Sequence, residues 1–148
     1  MKFVIQRVSK ATVIIDEIIY SSINEGILLL VGIEDNDNDS KLIYYTKKIV
    51  NMRIFNDSTG KMNCSLLDTQ GSILVVSQFT LCANTKKGNR PSYMHAANPD
   101  DARSLYHALI QELKNYEINI KKGRFGAHMK LDIINDGPVT ILLGENYG

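Results

Sequence analysis

The stretch NPDDARSLYHALIQELKNY, residues 98–116, has the pattern of an amphipathic helix with a clear beginning. Asn98 is a favoured N-cap residue, Pro99 follows at the first helical position, and two aspartates then complement the positive end of the helix dipole. Apolar side chains recur at helical spacing and predict a buried stripe made of Ala102, Leu105, Leu109, Leu113 and Tyr116. This helix separates two segments that have the patterns of β-strands.

The segments on either side of the helix alternate apolar and polar residues, or are rich in β-branched residues, as strands are. In the first strand Phe3, Ile5 and Arg7 share one face. Residues 72–76 are apolar after Ser72, which indicates a strand buried on both faces. The predicted strands are residues 2–8, 10–15, 26–31, 72–76, 130–134 and 139–143.

One more helix is predicted after the acidic loop 34–40, with Asp39 or Ser40 as its cap. Its side chains at helical spacing are Leu42, Thr46, Ile49 and Met52. Residues 56–61 (NDSTGK) are predicted to form a turn. The order β, α, β, α, β predicts an α+β fold in which a curved, barrel-like sheet carries two helices on its outside, as a single domain over residues 1–148.

Composition limits the class of protein. The 17 basic and 16 acidic residues leave a net charge of +1, so any binding of nucleic acid must rest on local basic clusters. Cys64 and Cys82 are expected to be reduced thiols. Gln6, Arg7 and Lys10 interrupt any signal-peptide core, and no apolar run approaches the ~20 residues that span a membrane. We therefore expect a soluble, cytoplasmic protein.

Several kinds of site are absent from the sequence. His95, His107 and His128 do not stand at metal-ligand spacings, and His107 is expected to face solvent from its helix. The sequence has no G-x-S-x-G elbow, no P-loop and no G-x-G-x-x-G. We expect neither a metal nor a cofactor.

The segment SQFTL, residues 77–81, is the first candidate site, because the apolar run before it abruptly turns polar. A strand end that presents Ser77, Gln78 and Thr80 on a rigid scaffold is a common site geometry. Composition alone favours the simpler interpretation, a strand end that satisfies its own backbone.

The second candidate is Gly137-Pro138, which follows Asn135-Asp136. These four residues suit a tight turn and predict a hairpin between the last two strands. Because few X–Pro bonds in folded proteins are cis, the pattern by itself predicts a trans bond.

Two basic clusters flanked by glycine complete the candidates. Each is compatible with a solvated surface or with a flexible loop that contacts phosphates. The clusters are Lys86, Lys87 and Arg90, and Lys121, Lys122 and Arg124.

The segments SQFTL (77–81) and NDGPVT (135–140) together resemble the paired signature of the D-aminoacyl-tRNA deacylase family. The likeness extends over nearly the whole chain, to about Gly144. It departs from the family pattern at Cys82, Tyr93 and His128, none of which lies in either signature. Its other matching segments are residues 6–8, 52–55, 60–63, 87–92 and 123–126.

The resemblance implies a homodimer with two sites at the subunit interface, and aminoacyl-tRNA as the substrate. It also implies that Gly137–Pro138 is cis and reaches into the partner's site, and that Arg7 holds this dipeptide in orientation. Gly137, Pro138, Arg7 and Met129 would contact or position the substrate. The residues assigned to catalysis are Ser77, Gln78, Phe79 and Thr80.

The implied reaction is hydrolysis of the ester between a D-amino acid and the terminal adenosine of tRNA, with glycyl-tRNA as a further substrate. Backbone N–H groups at Phe79 and Thr80 would stabilise the oxyanion, and Thr80 would orient water or the ribose 2′-hydroxyl. A covalent Thr80 is the less favoured route, because no adjacent base is visible in the sequence.

Rejection of L-amino acids by ~10⁴-fold takes about 5.5 kcal/mol. This exceeds the ~1–3 kcal/mol that one methylene in a pocket supplies. A rigid backbone wall that clashes with the L side chain meets the demand, so chiral proofreading by steric exclusion is expected.

Two alternatives stay open. The chain could be another ester or amide hydrolase, with Ser77 or Thr80 as nucleophile and His95 or His128 as base. It could also be a non-catalytic RNA-binding module that uses the two basic loops, although its near-neutral charge counts against this.

Overall fold

The strands and helices of the protein are described by a computed structural model over residues 1–145 and 147. In chain order they are β1 (Lys2–Ile15), β2 (Ile18–Ile23), β3 (Gly26–Gly32), α1 (Leu42–Asn51), β4 (Phe55–Asn56), β5 (Met62–Cys64), α2 (Leu66–Thr69), β6 (Ser72–Ser77), α3 (Pro99–Leu113), β7 (Asn119–Lys122) and β8 (Lys130–Gly144).

The main sheet has the strand order β2-β1-β3-β6-β7, and β8 also pairs with β1. β1 is antiparallel to β2, β3 and β8, whereas β3, β6 and β7 run parallel to one another. The Ser21 hydroxyl of β2 donates to the Lys122 carbonyl of β7 at 2.9 Å and so joins the two ends of this order. The predicted barrel-like sheet is confirmed.

The curved sheet separates two apolar cores. Ile27 and Leu29 of β3 face the helices α1 and α3, and Leu28 between them faces the barrel interior. β6 alternates in the same way, which confirms a strand buried on both faces. The buried residues of the barrel interior are Val8, Ala11, Val13, Ile15, Ile23, Leu28, Leu74 and Val76.

β1 serves both cores because a bulge at Ser9 changes the direction of its side chains. Phe3 and Ile5 belong to the core under the helices, and Ala11 and Val13 to the barrel interior. An extra residue in one strand shifts the alternation of everything that follows it. One long strand can therefore line the outside of the barrel with its first half and the inside with its second.

The predicted hairpin at residues 135–138 is wrong, because Lys130–Gly144 is one continuous strand. Both arms of β8 run antiparallel to β1, so the chain does not reverse between them. Gln6 pairs with Thr140 and Val8 with Asn135, which leaves residues 136–139 as a wide bulge in β8. The local sequence suits a turn, but β1 is long enough to pair with both arms.

The helix predicted at residues 98–116 is confirmed at its beginning. The Asn98 side chain accepts hydrogen bonds from the N–H groups of Asp100 and Asp101, and Pro99 is the first helical residue. Its buried face is rotated from the predicted stripe towards Tyr106 and Ile110, while Ala102, Leu105 and Tyr116 are only half-buried. The tyrosine turns inward because its hydroxyl donates to the Val75 carbonyl at 2.8 Å.

Other local predictions need small corrections. Asn38, not Asp39 or Ser40, caps the 3-10 turn that leads into α1. Met52 lies just beyond the end of α1. The turn at 56–61 is confirmed between β4 and β5, and the short helix α2, capped by Ser65, was not predicted.

No helix in residues 1–145 and 147 is both long and apolar enough to cross a membrane. Cys64 and Cys82 are free thiols, as expected.

Candidate functional site

A cavity of about 480 Å³ opens where the parallel strands β3 and β6 end and α3 begins. The carboxyl ends of parallel strands are a frequent place for ligands, because loops there leave a crevice. Its floor is apolar, and Ser77, Gln78 and His128 bring polar groups to it. The apolar residues of the floor include Val31, Ile33, Val76, Met129 and Leu131.

The end of β6 places the predicted segment at the mouth of this cavity. The Gln78 N–H donates to the Val31 carbonyl at 2.7 Å, which holds the chain beside β3 for one residue more. Residues Phe79–Cys82 then form a 3-10 turn. The first N–H groups of such a turn have no acceptor within it, and here they belong to Phe79 and Thr80. Two backbone donors are thus available where β6 ends.

The Thr80 hydroxyl is exposed and accepts a hydrogen bond from the Gln78 side-chain amide. Within the described chain, no hydrogen bond joins Ser77 or Thr80 to a histidine. His128 lines the cavity, and His95 instead faces Asp35, with 3.8 Å between Nδ1 and Oδ2. Among the described residues, no hydroxyl of the site is paired with a general base.

Two aromatic rings stand at the rim. Phe79 lines the cavity, remains 59% exposed, and packs edge-on against Tyr93 with ring centroids 5.1 Å apart. Phe125 lines the cavity on the side of α3. Exposed rings beside a cavity offer a stacking surface for a base.

The buried guanidinium of Arg7 links the bulge of β8 to the segment that precedes β4. Its Nη1 donates to the Ile54 carbonyl at 2.7 Å, and its Nε donates to the Asp136 carbonyl at 3.1 Å. The Gly137–Pro138 bond next to this anchor is cis, as the resemblance implies and contrary to the trans bond expected from the pattern alone.

The structure does not bring the two signatures together within one chain. Ser77, Gln78, Phe79 and Met129 line the cavity. Thr80, Arg7 and Gly137–Pro138 do not line it, and the dipeptide is exposed on the bulge.

The two predicted basic clusters differ. Lys86, Lys87 and Arg90 lie together on an exposed loop whose ends are tied by the backbone pair Asn84 and Ser92. This arrangement leaves all three cations open to solvent.

The residues of the second cluster point in different directions, and their contact with tRNA stays a prediction. Lys121 and Lys122 are consecutive residues of β7 and point to opposite faces. Arg124 lies over the Tyr20 ring at 5.8 Å and 3.8 Å from the Asp16 carboxylate.

Sequence reasoning missed the groups that hold Arg7. The Ile54 carbonyl is a backbone acceptor, which any residue could supply, so no local signal marks it. Asn56 is a further acceptor at 3.4 Å. In the described chain, no group of three His, Cys, Asp or Glu side chains is arranged to hold a metal ion.

Residues 4–144 match the family model described as D-Tyr-tRNA(Tyr) deacylase. The chain is 48% identical over 143 residues to a D-aminoacyl-tRNA deacylase of Thermosipho africanus (strain TCF52B), covering 97% of this chain and 96% of that protein.

Two solved structures have similar folds. One, described as c-Myc DNA Unwinding Element Binding Protein, is 42% identical with a TM-score of 0.93, over 98% of this chain and 99% of that one. The other, a probable eukaryotic D-amino acid tRNA deacylase, is 15% identical with a TM-score of 0.84, over 96% and 97% of the two chains, and bears on the fold alone.

Proposed function

The chain belongs to the D-Tyr-tRNA(Tyr) deacylase family, and from this premise we propose that its cavity holds the aminoacylated 3′ end of tRNA during hydrolysis. The enzyme cleaves the ester bond of D-aminoacyl-tRNA and releases the free D-amino acid and tRNA. The observation that carries the proposal is an apolar cavity of about 480 Å³ lined by Ser77, Gln78 and Phe79, beside the first N–H groups of the 3-10 turn Phe79–Cys82.

The cavity suits the two parts of this substrate. Its volume lies within the ~300–1,000 Å³ typical of small-molecule sites. The terminal adenine stacks on the exposed Phe79 ring, next to Tyr93. Ser77 and Gln78 then hydrogen-bond the ribose or the α-ammonium group.

The chemistry asks little of the protein, because an aminoacyl ester is already reactive. The N–H groups of Phe79 and Thr80 donate to the carbonyl oxygen as it gains negative charge, which is the largest single contribution expected in acyl transfer. The Thr80 hydroxyl orients water or the neighbouring ribose 2′-hydroxyl. A serine or threonine nucleophile would need a partner base, and the described hydrogen bonds give it none.

The enzyme works as a homodimer in this proposal, because Gly137–Pro138 lies outside the cavity of its own chain. In the described sheet β8 pairs on one side only, with β1. Its other edge is long and carries Ile134 and Leu142, which are 54% and 49% exposed. Long apolar edges of this kind invite pairing with a second chain. In the proposed dimer, twofold pairing along this edge brings each bulge to the partner's cavity.

The inserted Gly137–Pro138 backbone is the wall that excludes L-amino acids. Proline has a fixed φ, glycine has no Cβ, and Arg7 holds the preceding residue at two atoms, so the wall is stiff and approaches the substrate closely. An L side chain projects into this wall and a D side chain points away. Glycine has no side chain to exclude, so glycyl-tRNA is also a substrate. The cytoplasm, where aminoacyl-tRNA is used, is the proposed location.

One experiment separates this function from the two alternatives. The protein is incubated with D-tyrosyl-tRNA, L-tyrosyl-tRNA and a simple uncharged ester, in the presence of chelator. Release of tyrosine from the D-substrate alone supports the proposal. Cleavage of the simple ester would favour a general hydrolase with His128 as base. Binding of tRNA without any release would favour an RNA-binding module.

A further inference from the structure

A second cavity, of about 300 Å³, lies on the outer side of α3, where the helix meets β7. Its floor is apolar, from Ile110 and Ile120. Its rim can donate hydrogen bonds and carries positive charge. The rim residues are His107, Gln111, Lys114 and Lys122.

These rim residues continue a stripe on α3 that begins beside the substrate cavity. Arg103, His107, Gln111 and Lys114 are four, four and three positions apart, which puts them on one helix face. The Arg103 guanidinium lies 5.5 Å from the centroid of the Phe125 ring. Phe125 also lines the substrate cavity, so the stripe connects the two cavities.

The cations of this stripe are not neutralised by the described part of the chain. Arg103, Lys114 and Lys122 form no ion pair with a described carboxylate, whereas Lys2 and Lys130 each do. Asp100 is one turn before Arg103 on the same face, so the cationic part of the stripe starts at Arg103. A row of unpaired cations is complementary to a polyanion.

We propose that the stripe from Arg103 to Lys114, with Lys122, binds the sugar–phosphate backbone of the tRNA acceptor arm. The inference rests on the proposed function, because the 3′ end must occupy the substrate cavity while the strand leaves past Phe125. The eleven steps from Arg103 to Lys114 span about 16 Å at the rise of a helix, a length that covers several phosphates. Arg103, Lys114 and Lys122 neutralise phosphates, and His107 and Gln111 donate hydrogen bonds.

The test compares two substrates that share the reacting ester. D-Tyrosyl-tRNA carries the acceptor arm, and 3′-O-(D-tyrosyl)adenosine carries no phosphate. Lys114→Gln/Lys122→Gln removes two charges and keeps most of each side chain. Lys47→Gln/Lys48→Gln, on α1, makes the same charge change away from the stripe and serves as the matched control.

We expect the stripe variant to lose on the order of tenfold in kcat/KM on D-tyrosyl-tRNA, mainly through KM. Its rate on the adenosine ester should be unchanged. The slope of log kcat/KM against log salt should become shallower by about one for each lysine removed. The control variant should behave as the unchanged protein on both substrates.

Three outcomes would overturn the inference: no loss on D-tyrosyl-tRNA, equal loss on both substrates, or equal loss in the control. None of these outcomes would contradict the proposed function if the unchanged protein still cleaves both D-substrates. Failure of the unchanged protein to cleave either substrate would instead refute the proposed function itself.

Discussion

Arg7 and Asp136 are 129 positions apart in the chain, and the Arg7 guanidinium holds Asp136 at two atoms. Its Nε donates to the Asp136 carbonyl at 3.1 Å and lies 3.2 Å from the carboxylate Oδ2. Arg7 is only 6% exposed, so its guanidinium is shielded from water, whereas the side chain of Asp136 is 59% exposed. A residue in the middle of β1 therefore sets the position of the bulge that carries Gly137–Pro138.

Replacing Arg7 by lysine keeps the positive charge and removes the guanidinium, so it separates the effect of the hydrogen bonds from the effect of the charge. An ammonium group cannot reach the Ile54 carbonyl and Asp136 with the fork geometry of a guanidinium. Leaving buried acceptors unmet costs about 1–3 kcal/mol of folding free energy. We expect Arg7→Lys to lower the free energy of unfolding by about this amount and to reduce kcat on D-tyrosyl-tRNA. Urea denaturation and single-turnover deacylation measure the two effects.

The matched control for that variant is Arg53→Lys, at an exposed arginine whose Nη1 donates to the Asn63 side chain at 3.2 Å. It should change neither stability nor rate by a measurable amount. Equal activity of Arg7→Lys and the unchanged protein would show that the bulge keeps its position without the guanidinium.

Gly137→Ala should damage both folding and activity. Its φ is +118°, and an added Cβ would lie 2.9 Å from the Arg7 Nη2 and 3.0 Å from the Val139 Cγ2. The methyl group therefore displaces the arginine that anchors the bulge. We expect a loss of deacylation of at least about tenfold, which equals 1.4 kcal/mol of transition-state stabilisation. The measurement is kcat/KM on D-tyrosyl-tRNA, with melting temperature alongside.

Gly60→Ala is the control for this change. Its φ is also positive, at +81°, but an added Cβ meets nothing within 4 Å. It should share the backbone strain of a left-handed alanine, about 1–2 kcal/mol, and keep full activity. If the two variants lose activity equally, strain alone explains the effect and the contact with Arg7 is irrelevant.

Steric exclusion makes a clear prediction about the smallest amino acid. Glycyl-tRNA and D-alanyl-tRNA should both be hydrolysed, and L-alanyl-tRNA should resist, because a single methyl group meets the wall. Attraction-based pockets discriminate poorly at this size, since one methylene is worth only ~1–3 kcal/mol. Deacylation of the three substrates at matched enzyme concentration gives the result. Resistance of glycyl-tRNA equal to that of L-alanyl-tRNA would mean that the site needs a positive contact with a D side chain.

Thr80→Ala tests the role of the hydroxyl. If Thr80 only orients water or the 2′-hydroxyl, the rate should fall by about 10²–10⁴-fold at most, the range for a positioned proton-transfer group, and activity should remain measurable. Rapid quench followed by mass spectrometry should find no aminoacyl adduct on the unchanged protein. An adduct on Thr80 would establish the covalent route.

Stability should fall at alkaline pH because of a buried thiol. Burial raises the pKa of Cys82 to about 11 from its ordinary value of 9.0. The unfolded chain loses this proton near 9.0 and the folded chain only near 11. The folded state thus binds more protons in this window, and the free energy of unfolding decreases as pH rises through it. Burial also raises the pKa of Tyr106, which adds to the decrease.

Urea denaturation between these two pKa values measures the effect. Cys82→Ala should make the decrease with pH shallower. An identical pH dependence in Cys82→Ala would mean that this thiol does not contribute.

Structure that is determined by residues adjacent in sequence could be predicted. Structure that is determined by how distant strands pair could not. Asn98 and Pro99 mark the start of α3 because capping is local. The residues around the bulge at 136–139 predict a hairpin by themselves, because the same sequence suits either structure. Which one forms depends on β1, more than a hundred residues earlier.

The site divides in the same way. Ser77 and Gln78 stand out in the sequence because a strand end changes from apolar to polar, and the structure places both at the cavity. Phe125 and Leu131 complete the cavity from the far end of the chain and look like ordinary core residues. The division of Lys121 from Lys122 follows from strand alternation, which becomes visible once β7 is known to end at Lys122.

The irregular pairing of β8 with β1 limits how the bulge can change its length. Between the pairs Gln6–Thr140 and Val8–Asn135, β1 advances by two residues and β8 by five, so β8 has three extra residues. Between Val8–Asn135 and Lys10–Ile134, β1 advances by two residues and β8 by one, so β1 has one extra residue. Both numbers of extra residues are odd. Because successive side chains of a strand point to opposite faces, an odd number of extra residues exchanges the inner and outer faces of that strand, and here both strands exchange them.

An insertion or deletion of one residue in the bulge would break this parity and turn one arm of β8 inside out. A change of two residues would leave Leu131 in the barrel interior and Ile141 beneath the helices, where they pack now. The segment that carries Gly137–Pro138 is therefore free to evolve in length by even numbers of residues, while the arms that hold it keep their packing.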